Sequence, residues 1–145
     1  LNGEDVSEKI RTPEVSMGAS DVSAISAVRQ RLVTFQRALA SSKNVIMDGR
    51  DIGTKVLPDA QVKIFLTANA TIRAKRRYDE LAAKGGNVSF DAVLKDMEQR
   101  DRNDETRAIS PLVPAEDSII LDTSAFTFDE SLNAVIDIIK KKLNL

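Results

Sequence analysis

Val45-Ile46-Met47-Asp48-Gly49-Arg50-Asp51 is the stretch on which the reading of the fold turns. Three consecutive apolar residues, two of them β-branched, predict a short strand buried on both faces, as in a parallel sheet. A buried strand cannot keep charges, so Asp48, Arg50 and Asp51 must emerge where it ends. In an open α/β sheet the carboxyl edge of the strands is where ligands bind. Gly49 is expected to let the backbone turn sharply, and Arg50-Asp51 supplies an anion clamp beside a hydrogen-bond acceptor. That combination suits a ligand carrying both a phosphate and a polar base. A surface ion pair capping the strand would use the same two residues.

The totals bound the answer. With 145 residues, 42% hydrophobic and 30% charged, the chain reads as one domain of ordinary composition, large enough for a real core. Lys+Arg is 21 against Asp+Glu 22, so no global basic field exists to grip nucleic acid, and no nucleic-acid partner is expected. Any anion binding must come from local arginine clusters. The chain has no Cys and no His, which excludes disulfides, zinc sites built on those residues, and histidine bases. Phosphoryl transfer passes this filter, because it relies on Arg, Lys and Mg²⁺ for positioning and charge stabilisation. No apolar run is long enough to span a membrane and no signal-peptide pattern is visible, so a cytoplasmic location is expected. The chain starts with Leu rather than Met, which suggests that something precedes it.

Other elements extend outward from the central stretch. Asn2-Gly3 ahead of Glu4-Asp5-Val6 predicts a hairpin turn leading into a strand. Thr12-Pro13-Glu14 has the form of a helix start, and Gly18, Ser20 and Ser23 make the next stretch loose and polar. A stronger helix is predicted from Ser26 to about Ala40, with Val28, Leu32, Phe35 and Leu39 on its apolar face. Val62–Leu66 is the second strand, interrupted only by Lys63. Asn69 or Thr71 caps a helix that stops at Gly85-Gly86, and Ser89 caps another with Phe90, Val93, Leu94 and Met97 inward. Ile119–Leu121 is the third strand. The last helix, Phe128 to Leu143, turns Leu132, Val135, Ile136 and Ile139 inward. Strands alternating with amphipathic helices predict an α/β fold with a parallel sheet.

Four constellations carry candidate chemistry. Arg50-Asp51 is the first. In the run Arg100 to Arg107, residues Arg100, Asp104 and Arg107 would form one helical stripe able to fork a phosphate while the carboxylate takes sugar hydroxyls. A solvated charged face is the plainer reading of that run. Arg73, Lys75, Arg76 and Arg77, ahead of the Gly85-Gly86 stop, resemble a mobile lid or simply an exposed basic turn. Ser20 and Arg29 are unremarkable on physical grounds alone.

Taken together and in order, these motifs resemble the bacterial cytidylate kinases (CMP/dCMP kinases). The resemblance runs from Ile10-Arg11-Thr12-Pro13-Glu14-Val15-Ser16 through Ala27-Val28-Arg29 and Asp48-Gly49-Arg50-Asp51-Ile52-Gly53-Thr54. It continues through Pro58-Asp59-Ala60 and Lys63–Leu66 to Arg100-Asp101-Arg102-Asn103-Asp104, Arg107-Ala108 and Pro111-Leu112. It implies a nucleoside-monophosphate-kinase-like parallel sheet of the P-loop type, flanked by helices. It implies ATP-dependent phosphorylation of CMP or dCMP, with Mg²⁺ accompanying ATP. Ser20, Arg29 and Asp51 would read the cytosine edge. Asp104 would hold the ribose hydroxyls, with Arg100 reaching sugar and phosphate. Arg50 and Arg107 would bind the CMP phosphate and stabilise charge during transfer. Arg76 and Arg77 would be lid arginines facing ATP. Residues 1–25 would be the back part of a CMP-binding insertion and residues 71–107 the lid with its flanking helices.

One departure is serious. The family's Gly-x-x-x-x-Gly-Lys-Ser/Thr phosphate loop, which comes after its first strand, has no counterpart here, because no Lys-Ser/Thr follows Gly53. An arginine expected near the front of the insertion is missing too. Without the first strand, Val45–Met47 and Val62–Leu66 would face a gap. Each buried unsatisfied backbone group costs about 1–3 kcal/mol, so a strand of them outweighs the roughly 5–15 kcal/mol that holds a domain together. Residues 1–145 are therefore expected to be a single partial kinase domain, the C-terminal part. It would hold the acceptor site and lid, need an N-terminal remainder to complete its sheet, and turn over little ATP alone. A CMP-binding or interaction module without kinase activity is the alternative.

Overall fold

The computed structural model describes residues 1–145 and contains five α-helices and two strands. They are α1 (Pro13–Ser23), α2 (Ser26–Ser41), β1 (Ile64–Thr67), α3 (Ala70–Ala83), α4 (Phe90–Thr106), β2 (Ile119–Asp122) and α5 (Phe128–Leu143). A 3₁₀ turn, Lys9–Arg11, precedes α1, and a π-turn, Ile52–Val56, lies between α2 and β1.

Local chemistry fixes the helix ends. Thr12 accepts from the Val15 N–H at 3.3 Å, with Pro13 in the first position, where a missing N–H costs nothing. Asn69 caps α3 through the Thr71 N–H, and Ser89 caps α4 through the Ala92 N–H. The end of α3 needs Gly85, whose φ of 78° is left-handed, so that the Gly86 N–H can reach the Leu81 carbonyl at 2.9 Å. At α5, Thr127 and Glu130 bond reciprocally in a capping box.

β1 and β2 pair in parallel, Ile64 opposite Ile119 and Thr67 opposite Asp122, with α3 and α4 forming the crossover between them. The helices pack along each other, and Tyr78 meets Phe90 edge to face at 6.3 Å. Arg73 binds them further, giving Nε to the Ala68 carbonyl and both terminal nitrogens to Asp101. Lys63, the polar interruption in the strand sequence, is answered by Asp117 at 2.7 Å.

Three sequence expectations are corrected. Val45–Met47 forms no strand, and Ile46 is 97% exposed. A strand exists only through its ladder, and no neighbour runs beside this segment. The Asn2-Gly3 turn forms, with the Glu4 N–H on the Leu1 carbonyl at 2.9 Å, but no strand comes after it for the same reason. The segment after Thr12 is a regular helix rather than a loose one, through Gly18, Ser20 and Ser23.

The core is correspondingly thin. Only eight residues are buried: Val56, Ala68, Ala74, Val93, Arg29, Asp51, Asp104 and Thr123. Leu32, Phe35 and Leu39, on the apolar face of α2, are exposed, as are Leu66, Ile120 and Phe128. Half of the buried residues are polar, and three of those are charged. Three of the eight buried residues, Arg29, Asp51 and Asp104, belong to an ionic cluster.

Candidate functional site

That cluster joins α1, α2, the loop before the π-turn, and the end of α4. Arg29 pairs with Asp51 out of solvent, 22 residues apart in the chain. Arg29 Nη1 also donates to the Ser23 carbonyl at 3.1 Å, which fastens α2 to the end of α1. Asp104, 3% exposed, is the second centre. Its Oδ2 accepts from Arg50 Nε at 2.9 Å, and its Oδ1 faces Arg107 Nη1 at 3.6 Å and the Ser20 hydroxyl at 3.5 Å.

Backbone geometry explains how the loop delivers its residues. Gly49 has no left-handed φ; it is needed for close approach, since a Cβ there would stand 2.9 Å from Ile52 Cγ1. The chain then turns so that Arg50 addresses the Asp104 carboxylate and Asp51 the Arg29 guanidinium. Arg107 lies just past the end of α4, in an extended conformation, and its Nε bonds to the Ser110 carbonyl. The stripe of Arg100, Asp104 and Arg107 thus ends one residue beyond the helix, and Asp104 and Arg107 still meet.

Electrostatically the cluster is unfinished. Three guanidinium groups, Arg29, Arg50 and Arg107, share the two carboxylates of Asp51 and Asp104. Burial, and secondarily repulsion from Arg29, push the Arg107 pKa below its ordinary value, against the pull of Asp104 and Asp51. Several buried atoms also lack an aligned partner: Arg29 Nε, Arg107 Nη2, Arg100 Nε and Asp51 Oδ2. A buried donor left unmade is costly; Arg29 Nε and Arg107 Nη2 stand so in the cluster and Arg100 Nε beside the adjoining cavity, while Asp51 Oδ2 has only Arg29 Nη2 next to it. The arrangement can accept an oxyanion at the arginines and an amino donor at the Asp51 carboxylate.

A cavity of about 260 Å³ opens beside it, lined by Ser20, Asp21, Asn103, Asp104, Thr106 and Arg107. Arg100 and Arg77 line a larger one, about 470 Å³, between α1 and the α3–α4 pair. Arg76 is engaged elsewhere, donating to the Thr123 carbonyl at 2.6 Å and the Phe126 carbonyl at 3.0 Å. Arg77 pairs with Glu80 at 2.8 Å and touches the Arg11 carbonyl. The structure therefore gathers Ser20, Arg29, Arg50, Asp51, Asp104 and Arg107, with Arg100 on the adjoining cavity. No group of three or more His, Cys, Asp or Glu side chains converges on a metal position.

Two supporting features escaped sequence reasoning. Arg37 and the Arg73–Asp101 pair act through partners 18 to 28 positions away, and no local spacing signals such contacts.

The family described as cytidylate kinase matches residues 1–141. The chain is 55% identical over 141 residues to a protein named cytidylate kinase from Caldicellulosiruptor bescii, an alignment covering 97% of this chain and 62% of that protein. It is 52% identical over 130 residues to the one from Bacteroides fragilis, covering 90% and 57%. With the one from Vibrio cholerae the identity is 47% over 143 residues, covering 99% and 64%. The chain thus spans somewhat less than two thirds of the length of these relatives. The match over almost every residue places the chain in the cytidylate kinase family.

Proposed function

We propose that this chain carries the acceptor site and lid of a kinase that transfers the γ-phosphoryl group of ATP to CMP or dCMP. The observation that carries the reading is the unfinished ionic cluster: three arginines share two carboxylates, and buried N–H groups of Arg29 and Arg107 have no partner. A nucleoside monophosphate supplies what is lacking, an anion for the arginines and an exocyclic amine for Asp51.

In this reading Arg50 and Arg107 hold the CMP phosphate, and Arg100 reaches sugar and phosphate. Asp104 takes the sugar hydroxyls, which requires Arg50 to leave its oxygen and turn to the phosphate. Asp51, Arg29 and Ser20 read cytosine; Ser20 stands at the boundary of the two halves, its hydroxyl now turned to Asp104. Arg77 is assigned to ATP, and Arg76 can join it only by releasing its two carbonyl partners. An oxygen of the bound phosphate attacks the γ-phosphorus, and the bond to the ADP oxygen breaks. Arg50 and Arg107 offset the charge that spreads over the transferring group. Mg²⁺ belongs to the ATP substrate complex, and its protein ligands are assigned mostly to the N-terminal remainder.

The further length of the relatives would supply the phosphate loop and the strand beside β1, and would cover Ile46, Phe35 and Leu66. The isolated chain is accordingly expected to turn over little ATP. A CMP-binding module without kinase activity is not favoured, since the relatives are named kinases. Calorimetric titration with CMP and UMP tests the site. The two bases differ mainly at one edge, so mismatched hydrogen bonding costs a few kcal/mol. CMP binding tenfold or more above UMP supports the assignment, and equal binding removes Asp51 and Arg29 from it.

A further inference from the structure

Asp51 can discriminate a base edge only if its carboxylate is held in place, and two arginines of α2 hold it through one turn. Asp51 opens the π-turn: its carbonyl accepts from the Lys55 N–H at 2.8 Å and the Val56 N–H at 3.3 Å. The Thr54 hydroxyl reaches the same carbonyl at 3.4 Å. At the far end of the turn the carbonyls of Lys55 and Val56 have no place in a ladder, because helical turns leave their last carbonyls unpartnered. Arg37 takes both. Its Nε donates to Val56 O at 3.0 Å and its Nη2 to Lys55 O at 2.5 Å. Val56, 2% exposed, anchors that end of the turn.

Arg29 and Arg37 are eight residues apart on α2, about 12 Å of helix rise. One grips the Asp51 side chain and the other the carbonyls that close its turn. Single π-turns are rare and occur often at functional sites. Here the turn is a splint, and α2 is the bar it is strapped to.

We infer that Arg37 is a positioning residue, setting the Asp51–Arg29 pair through the Ile52–Val56 turn and thereby tuning discrimination between cytosine and uracil. This rests on the reading that Asp51 and Arg29 face the base. The planar fork of arginine serves two carbonyls at once, which a lysine ammonium on its flexible stem cannot reproduce. Arg37→Met keeps the stem and removes both bonds, while Arg37→Lys can restore one.

The test compares this chain with both variants by NMR without ligand, then by titration with CMP and UMP. With Arg37→Met, the Lys55 and Val56 amides should exchange at least tenfold faster, and the Arg29 Nη2–H signal, from the nitrogen that faces Asp51, should move toward that of a free guanidinium. Arg37→Lys should fall between, and the α5 amides should stay unchanged in both. The preference for CMP over UMP should drop at least fivefold in Arg37→Met. An Arg29 signal that stays put, whatever the turn amides do, overturns the inference and leaves Arg37 as a loop tie only. If the unmutated chain shows no preference for CMP, the functional reading fails, while the ligand-free signals still decide Arg37. If Arg37→Met does not fold, Arg37→Lys decides on the same signals.

Discussion

The ion pairs along α3 and the cluster around Asp51 and Asp104 use the same residue types to opposite ends. On α3, Lys75 pairs with Asp79, Arg77 with Glu80, and Lys84 with Glu80. These partners stand three or four residues apart, so one helix makes all the contacts by its own geometry. Lys84, then Arg77, hold the Glu80 carboxyl below its ordinary pKa, but in water each such pair is worth only a few tenths of a kcal/mol. The cluster instead gathers arginines and aspartates from α2, a loop and α4, up to 54 positions apart, and buries all of them but Arg50 wholly or largely. Spacing along a helix makes pairs that are complete in themselves. Burial across elements makes a set whose surplus cation and idle donors ask for a ligand.

The largest effect expected of this contrast lies at Asp104. Asp104→Ala leaves the largely buried Arg107 without its carboxylate and frees the exposed Arg50, a loss of up to about 3–5 kcal/mol by analogy with other broken buried pairs. Urea unfolding would read it, together with loss of CMP binding; a variant as stable as the parent would mean that the cluster is no more than a surface pair. Second comes Arg29→Met, which spares the phosphate side. It should cut the preference for CMP over UMP by about tenfold to a hundredfold, the worth of one or two matched hydrogen bonds. An unchanged ratio in parallel titrations would detach Arg29 from the base.

The α5 cap gives a smaller, purely local effect. Thr127→Ala should cost about 1 kcal/mol, read by thermal unfolding, with no change in nucleotide binding. The Thr127 N–H and hydroxyl hold the Glu130 pKa below its ordinary value of 4.5. A depressed folded value means this stabilisation is present above pH 4.5 and is lost as the pH falls through the folded value. The parent's midpoint should therefore fall on acidification from about pH 5 to about pH 3 by more than that of Glu130→Gln. The smallest effect belongs to Lys75→Ala, a few tenths of a kcal/mol at most. A larger loss there would blur the contrast between the two regions.

Much of the helical architecture was legible. The caps at Thr12, Asn69 and Ser89 and the glycine stop at Gly85 are interactions within a few residues, so local sequence contains both partners. β1 and β2 were legible as apolar runs, and they form because each is beside the other. Val45–Met47 has the same composition and no neighbour, so the reading that suited its residues failed on its surroundings. The site divides similarly. Arg50, Asp51 and the α4 stripe announced themselves by charge directly after an apolar run and by helical spacing. Ser20 and Arg29 came only through resemblance to a family, since neither has a local signal. Arg37 had none at all.

Sequence by itself therefore determined where helices begin and end, which chemistry is excluded by the lack of Cys and His, and which family the motifs resemble. The tertiary structure alone decided which apolar runs become strands, which arginines are buried, and which carboxylate each one meets. The reason is range: caps and turns act over a few residues, whereas a ladder or a buried ion pair depends on a partner the local chain does not contain.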